Sequence, residues 1–249
     1  MVLALVGSIF MYVHVTEIDR VNATEQDRLH VLTNVVASDI QNNLQTVNLS
    51  LEGVIRDYLA GHSAITDADH LQLRLRALKD AMPGIRALLV LDANGVVVSA
   101  SKPSLVGRNL VDREYFKVAR NRPNEATLYV SPPFQSLKDE PDLVIAISRF
   151  VPGAKGEFAW LVVAALDQDY FADSFTPVVY APDVWAFVVH GDGLQILNYP
   201  KKANSIDGTN LDRPGTFFSR HLQSAQLESV LTGTVYTTGE KRLYAPQSK

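Results

Sequence analysis

Two stretches decide how this chain folds: Leu88-Leu89-Val90-Leu91-Asp92-Ala93-Asn94-Gly95, and further along, Ala186-Phe187-Val188-Val189-His190-Gly191-Asp192-Gly193. Each is an apolar run delivered into a tight turn, and the two align without gaps. Asn94-Gly95 is a type I′ hairpin signal, and Val96, Val97 and Val98 bring the chain back as the second strand. Downstream, Gly107-Arg108-Asn109-Leu110-Val111-Asp112-Arg113 matches Gly208-Thr209-Asn210-Leu211-Asp212-Arg213, with three extra residues before the second copy and one fewer inside it. Two matches in the same order predict one supersecondary unit used twice.

Around the first hairpin the apolar run 86–91 is followed by a helix expected near Arg113 to Arg120. Strands are expected at 127–130, 143–150 and 158–166. Short β-rich runs broken by turn residues and single helices describe an antiparallel sheet of five strands with helical insertions, hence an α+β fold. The second copy offers one later strand pair, around Gly233 to Tyr244, and is expected to continue beyond Lys249.

The chain before the first hairpin reads as helix. Ile18, Val21, Leu32, Val36, Ile40, Leu44, Val47, Leu51, Ile55 and Tyr58 recur at three- and four-residue steps with no intervening proline. From His14 to Ala60 such a helix reaches about 70 Å, longer than a compact domain needs, so it is expected to pack along its own domain, along a second copy, or both. Gly61 closes it. Thr66-Asp67-Ala68-Asp69 opens a second helix carrying Leu71, Leu73, Leu75 and Leu78, which stops at Pro83-Gly84. Residues 1–13 are uncharged and shorter than the ~20 residues that cross a bilayer; they read as part of a membrane span, with a signal-peptide core and a buried core helix as the alternatives.

Composition narrows the function. A net charge of −4 gives no broad basic field for nucleic acid, and the absence of cysteine removes disulfides, thiolate metal sites and cysteine nucleophiles. The six histidines show no metal spacing, and G-x-S-x-G, P-loop and H-E-x-x-H patterns do not occur. Ser99-Ala100-Ser101-Lys102 fits S-x-x-K but follows a hairpin strand and has no partner motif. Asp92-x-Asn94-Gly95 starts like an EF-hand loop with its glycine too early. No catalytic residues, metal or cofactor are expected.

Several segments together resemble the double Cache sensor domains of bacterial receptors: Asp112-Arg113-Glu114-Tyr115-Phe116, Leu128-Tyr129-Val130-Ser131-Pro132-Pro133, Ile145-Ala146-Ile147-Ser148-Arg149, Trp160 to Asp167, and Asp169-Tyr170-Phe171. The resemblance spans nearly all of residues 15–249. It implies a stalk and dimerisation helix over 14–60, a membrane-distal PAS-like ligand module over 61–180, and a membrane-proximal PAS-like module over 181–249. It also implies a periplasmic location on a bacterial inner-membrane receptor, a homodimer through the long helix, and a cytoplasmic output, with a diguanylate cyclase expected first; the alternatives are a histidine kinase or chemoreceptor, or a structural dimerisation module with no ligand. The chain departs from the amino-acid-binding subgroup, having no tryptophan-tyrosine pair after an arginine near Arg120.

A ligand cleft in such a module lies between the sheet and the helix that covers it. Arg113 and Tyr115 at the start of that helix, Tyr129 and Ser131 at one strand end, Arg149 at another and Asp167 after a third are the candidate ligand contacts. An arginine fork suits a carboxylate, and Asp167 suits an amine. Set against that, Asp112 before a helix is a capping residue, and the second Asp-Arg pair, Asp212-Arg213, points to an architectural role for the motif. Tyr170 and Phe171 are expected in the core or at an interface, and His190 at a solvated turn.

Overall fold

The computed structural model describes residues 2–59, 68–124, 126–136, 143–200, 209–227, 229, 231–234 and 241–247. The chain divides into two compact units, Ile40–Asn210 and Met1–Asp39 with Leu211–Lys249; helix α1 (Val2–Leu59) contributes to both. The helical period read from His14 onward therefore extends back to Val2. Gly61 and Thr66-Asp67, read as the stop and the next start, lie outside the described residues. Helix α2 (Ala68–Ala81) ends just before Pro83-Gly84, as expected. Among the described residues no helix is long and apolar enough to cross a membrane.

The larger unit is built on an antiparallel sheet. Its strands are β1 (Ile85–Asp92), β2 (Val97–Ala100), β3 (Tyr129–Val130), β4 (Phe134–Gln135), β5 (Leu143–Pro152) and β6 (Phe158–Asp167). They lie in the order β2-β1-β6-β5-β3, with β4 also on β5. Six strands stand where five were read, because Pro132-Pro133 splits the edge partner of β5 into two pieces. Proline cannot donate to a ladder, so an edge is where a sheet tolerates it. The gap is bridged by Ser131, whose N–H donates to Ala146 O (2.8 Å) while its Oγ accepts from Ala146 N (2.9 Å) and donates to Pro132 O (2.8 Å).

Both faces of the sheet are covered, which explains runs such as Leu88 to Leu91 and Val144 to Ile147 that are apolar without alternation. On one face Ala87, Leu89, Leu91, Ala146, Leu161 and Val163 form a core with Tyr115, Phe116 and Ala119 of helix α3 (Glu114–Asn121). On the other, Leu88, Val90, Ile145 and Ile147 alternate away from α3, toward the side where α1 and α2 supply Val47, Leu51, Val54, Leu71 and Leu75, all buried.

The first hairpin turn corrects the type I′ reading. That turn requires positive φ at both central residues, but here only Gly95 is left-handed, at φ 80°, and Asn94 is not. Gly95 N donates to Asp92 O (3.0 Å), and the ladder slips between Val90 and Leu91, a turn with a bulge. Asp92 explains the choice: its Oδ1 accepts from Asn94 N and Val96 N, both at 2.9 Å, and so pins the loop from inside.

The second hairpin, β7 (Ala186–Val189) with β8 (Gln195–Tyr199), repeats this backbone. Gly193 N donates to His190 O (2.8 Å), and the ladder slips at the matching place. His190 Nδ1 takes the place of the Asp92 carboxylate by accepting from Asp192 N (3.2 Å). The bridge Val96↔Asn109 recurs as Leu194↔Asn210, and Val97 N→Arg108 O recurs as Gln195 N→Thr209 O, each 2.9 Å. The duplicated Gly-x-Asn-Leu segments thus do the same work twice.

The smaller unit holds α4 (Phe217–Ser224) and the pair β9 (Leu231–Thr234) with β10 (Lys241–Tyr244), close to the strand pair read near Gly233 to Tyr244. Thr216 caps α4 by accepting from Ser219 N (3.2 Å), and Phe217 meets Tyr244 with ring centroids 5.1 Å apart. Thr33 of α1 donates to Ala245 O (3.1 Å).

Candidate functional site

Helix α3 begins at the Asp-Arg motif, but the capping expectation needs correction. Arg113 occupies the N-cap position without a side-chain cap bond, and Asp112 is solvent-exposed, 3.6 Å from Lys117 Nζ. In the second copy the cap is Thr216, so Asp212-Arg213 does not start a helix at all. The Arg113 side chain instead turns toward the edge of the sheet. Its Nη1 donates to Gln135 O (3.0 Å), its Nη2 donates to Ser136 O, and the guanidinium lies 5.1 Å from the centroid of the Phe134 ring. A cation over an aromatic face adds about 0.5–1 kcal/mol.

Three of the candidate residues come together here. Tyr115 is buried and meets Phe134 at 5.7 Å between centroids. Burial pushes its phenol up to about 12, with the Arg113 guanidinium opposing the rise. Tyr129 Oη donates to Glu114 Oε1 (3.1 Å), and burial followed by the Glu114 carboxylate holds its phenol well above the ordinary tyrosine range. Both phenols are therefore neutral donors at physiological pH. Arg113 and Tyr115 flank Phe134, and Tyr129 joins the same α3 face of the sheet through Glu114.

The other three candidates are committed elsewhere. Ser131 is buried and spends its hydroxyl on the backbone bonds that close the proline gap. Arg149 projects from the opposite face: its Nη1 lies 2.6 Å from Asn48 Oδ1 and 3.0 Å from Glu52 Oε1, both on α1. Strand alternation explains this, since Ala146 and Ser148 face α3 and the residue after Ser148 must face away. Asp167, at the end of β6, accepts from Arg86 Nε at 2.6 Å across a bulge in the β1–β6 ladder. Arg86 therefore already supplies the cation that a ligand amine would offer.

Sequence reasoning missed Phe134, Glu114 and the contact of His190 Nε2 with Val130 O at 3.1 Å, which ties the second hairpin turn to the end of β3. His190 is thus partly buried, with Nε2 on Val130 O and Nδ1 on Asp192 N, a correction to the solvated reading. Phe171 is in the core as expected, edge-on to Tyr170 at 5.1 Å. Ser99 of the S-x-x-K match is a buried residue of β2. Among the described residues no group of three or more His, Cys, Asp or Glu is placed to hold a metal.

This architecture, a long N-terminal helix ahead of an antiparallel sheet covered by a short helix, is the fold of extracytoplasmic sensory domains of histidine kinases and chemoreceptors, in line with the double Cache resemblance. The extracellular domain of rpHK1S-Z16, described as a histidine kinase, superposes with a TM-score of 0.77 at 21% identity, over 90% of this chain and 88% of that one. The periplasmic sensory domain of the Campylobacter jejuni chemoreceptor Tlp1 gives 0.65 at 10% identity, over 88% of each chain. The ligand-binding domain of the Pseudomonas aeruginosa amino-acid chemoreceptor PctB, in complex with L-Arg, gives 0.61 at 18% identity over 87% and 85%. No family model matches the chain, and no curated protein matches it.

Proposed function

We propose that this chain is the non-enzymatic, periplasmic small-molecule sensor domain of a receptor in a bacterial inner membrane, with its ligand bound between α3 and the sheet in the membrane-distal module. The observation that carries the reading is the grouping of Arg113 and Tyr115 at Phe134, with Tyr129 bonded to Glu114 beside them, on the covered face of a fold whose structural neighbours include ligand-binding domains. Arg113 keeps guanidinium N–H groups beyond the two given to Gln135 O and Ser136 O, and the Tyr115 phenol is a neutral donor, so a carboxylate fits this end of the site better than an amine, for which Asp167 would first have to release Arg86.

Ligand binding would shift a pre-existing equilibrium in the packing of α1, which belongs to both compact units and would pass the change to a cytoplasmic output module. The structural neighbours include sensory domains of histidine kinases and chemoreceptors, which favours one of these outputs over a diguanylate cyclase. The division into modules at 61–180 and 181–249, the homodimer through α1 and the membrane anchor at 1–13 belong to the same proposal. A thermal-shift screen with small carboxylates, amines and amino acids tests it, because a ligand of the native state raises the melting temperature. Arg113→Ala should abolish the shift produced by any carboxylate that binds; a shift that persists unchanged would place the ligand elsewhere.

A further inference from the structure

We infer that Ser148 is a specificity-determining contact of the proposed ligand site, selecting ligands that carry a hydrogen-bonding group at their buried end. The inference rests on the ligand-site reading and adds to it a residue and a chemical requirement.

Ser148 lies in the middle of β5, cross-strand from Tyr129 on one side and Val163 on the other. Cross-strand partners share a face of the sheet, as do residues two apart along a strand. Ser148 therefore faces the same way as Ala146, Val163 and Tyr129, into the layer that Tyr115 and Phe116 of α3 cover. It is 1% exposed, and its Oγ has no hydrogen-bond partner among the described residues. Ser131, equally buried on the neighbouring edge segment, has both an acceptor and a donor for its hydroxyl.

A buried hydroxyl without a partner costs free energy comparable to a lost hydrogen bond, and alanine at the same place would carry no such cost. The orphaned group sits beside Tyr129, whose own hydroxyl is engaged by Glu114. Its neighbours on the same face of the sheet, Ala146 along β5 and Val163 across on β6, are apolar members of the core that α3 covers. A site built this way holds a small molecule with an apolar body and rejects an isostere with a methyl group where the polar group belongs, since that isostere leaves the serine unpaired.

The test uses pairs of probes that differ by hydroxyl against methyl: lactate with isobutyrate, ethanolamine with propylamine, and L-threonine with L-valine, each titrated calorimetrically into wild type, Ser148→Ala and Ser99→Ala. Ser99 is the control, since it too is buried with an unpartnered hydroxyl, but it pairs with Val90 on the opposite face. The expected result is a preference of tenfold or more for the hydroxylated member of the accepted pair in wild type and in Ser99→Ala, falling below twofold in Ser148→Ala. Ser148→Ala should also melt no lower than wild type. Equal binding of both members by wild type, a preference that survives Ser148→Ala, or a melting temperature lowered by several degrees in that variant overturns the role of Ser148 and leaves the ligand site standing. If no pair binds at all, the ligand-site reading falls, and this inference falls with it.

Discussion

Replacing Arg149 with methionine separates a structural from a ligand-binding role for the partly buried cation of β5. The guanidinium closes a triangle in which Nη1 meets Asn48 Oδ1 at 2.6 Å and Glu52 Oε1 at 3.0 Å, while Asn48 Nδ2 donates to Glu52 Oε1 at 3.0 Å. Methionine keeps the aliphatic stem and removes the charge. Asn48 is 8% exposed, so its orphaned carbonyl oxygen costs about 1–3 kcal/mol. The Glu52 side chain is 32% exposed and regains water, so losing its ion-pair partner adds only about 0–1 kcal/mol. The expected loss is about 1–4 kcal/mol in urea unfolding, followed by the fluorescence of Trp160 in β6 of the same sheet. A double-mutant cycle with Glu52→Gln should return a coupling of about 0.5–1 kcal/mol, because the two side chains share Asn48. Stability within about 0.5 kcal/mol of wild type, together with loss of ligand binding, would refute the seam and return Arg149 to the ligand site.

Three further perturbations follow from the same geometry. Gly95→Ala places a Cβ 2.8 Å from both Val111 N and Cα at a backbone φ of 80°, so a loss of about 2 kcal/mol or more is expected in chemical denaturation. The Tyr115 phenol is raised from 10.0 to about 12 in the folded protein; the unfolded chain therefore loses its proton first, and stability present below pH 10 drains away between pH 10 and 12. Melting curves across that range should fall less steeply for Tyr115→Phe. His221, buried and 2.9 Å from Ser229 Oγ through Nδ1, is lowered below 6.5 by burial. The unfolded chain takes up its proton first, so its contribution is complete above pH 6.5 and declines as pH falls below that value. Acid titration of His221→Gln, read by circular dichroism, should lack that component.

The sequence alone was enough for the long helix, the hairpin pair and the α+β class, because each rests on local signals: a 3.6-residue apolar period, a turn residue at a fixed offset, a repeated segment. It also led to the cover helix and to Arg113, Tyr115 and Tyr129, of which the fold sets the first two on Phe134 and the third on Glu114 of the cover helix. Tertiary structure decided the rest. Whether Arg149 faces ligand or α1 depends on which face of β5 each residue takes and on a partner 101 residues away, information that no local window holds. Ser131 owes its role to the break that Pro132-Pro133 makes in an edge strand, and Asp167 to a bulge that brings Arg86 beside it. Buried polar groups are assigned by whichever partner satisfies them, and strand pairing chooses that partner only once the chain has closed on itself.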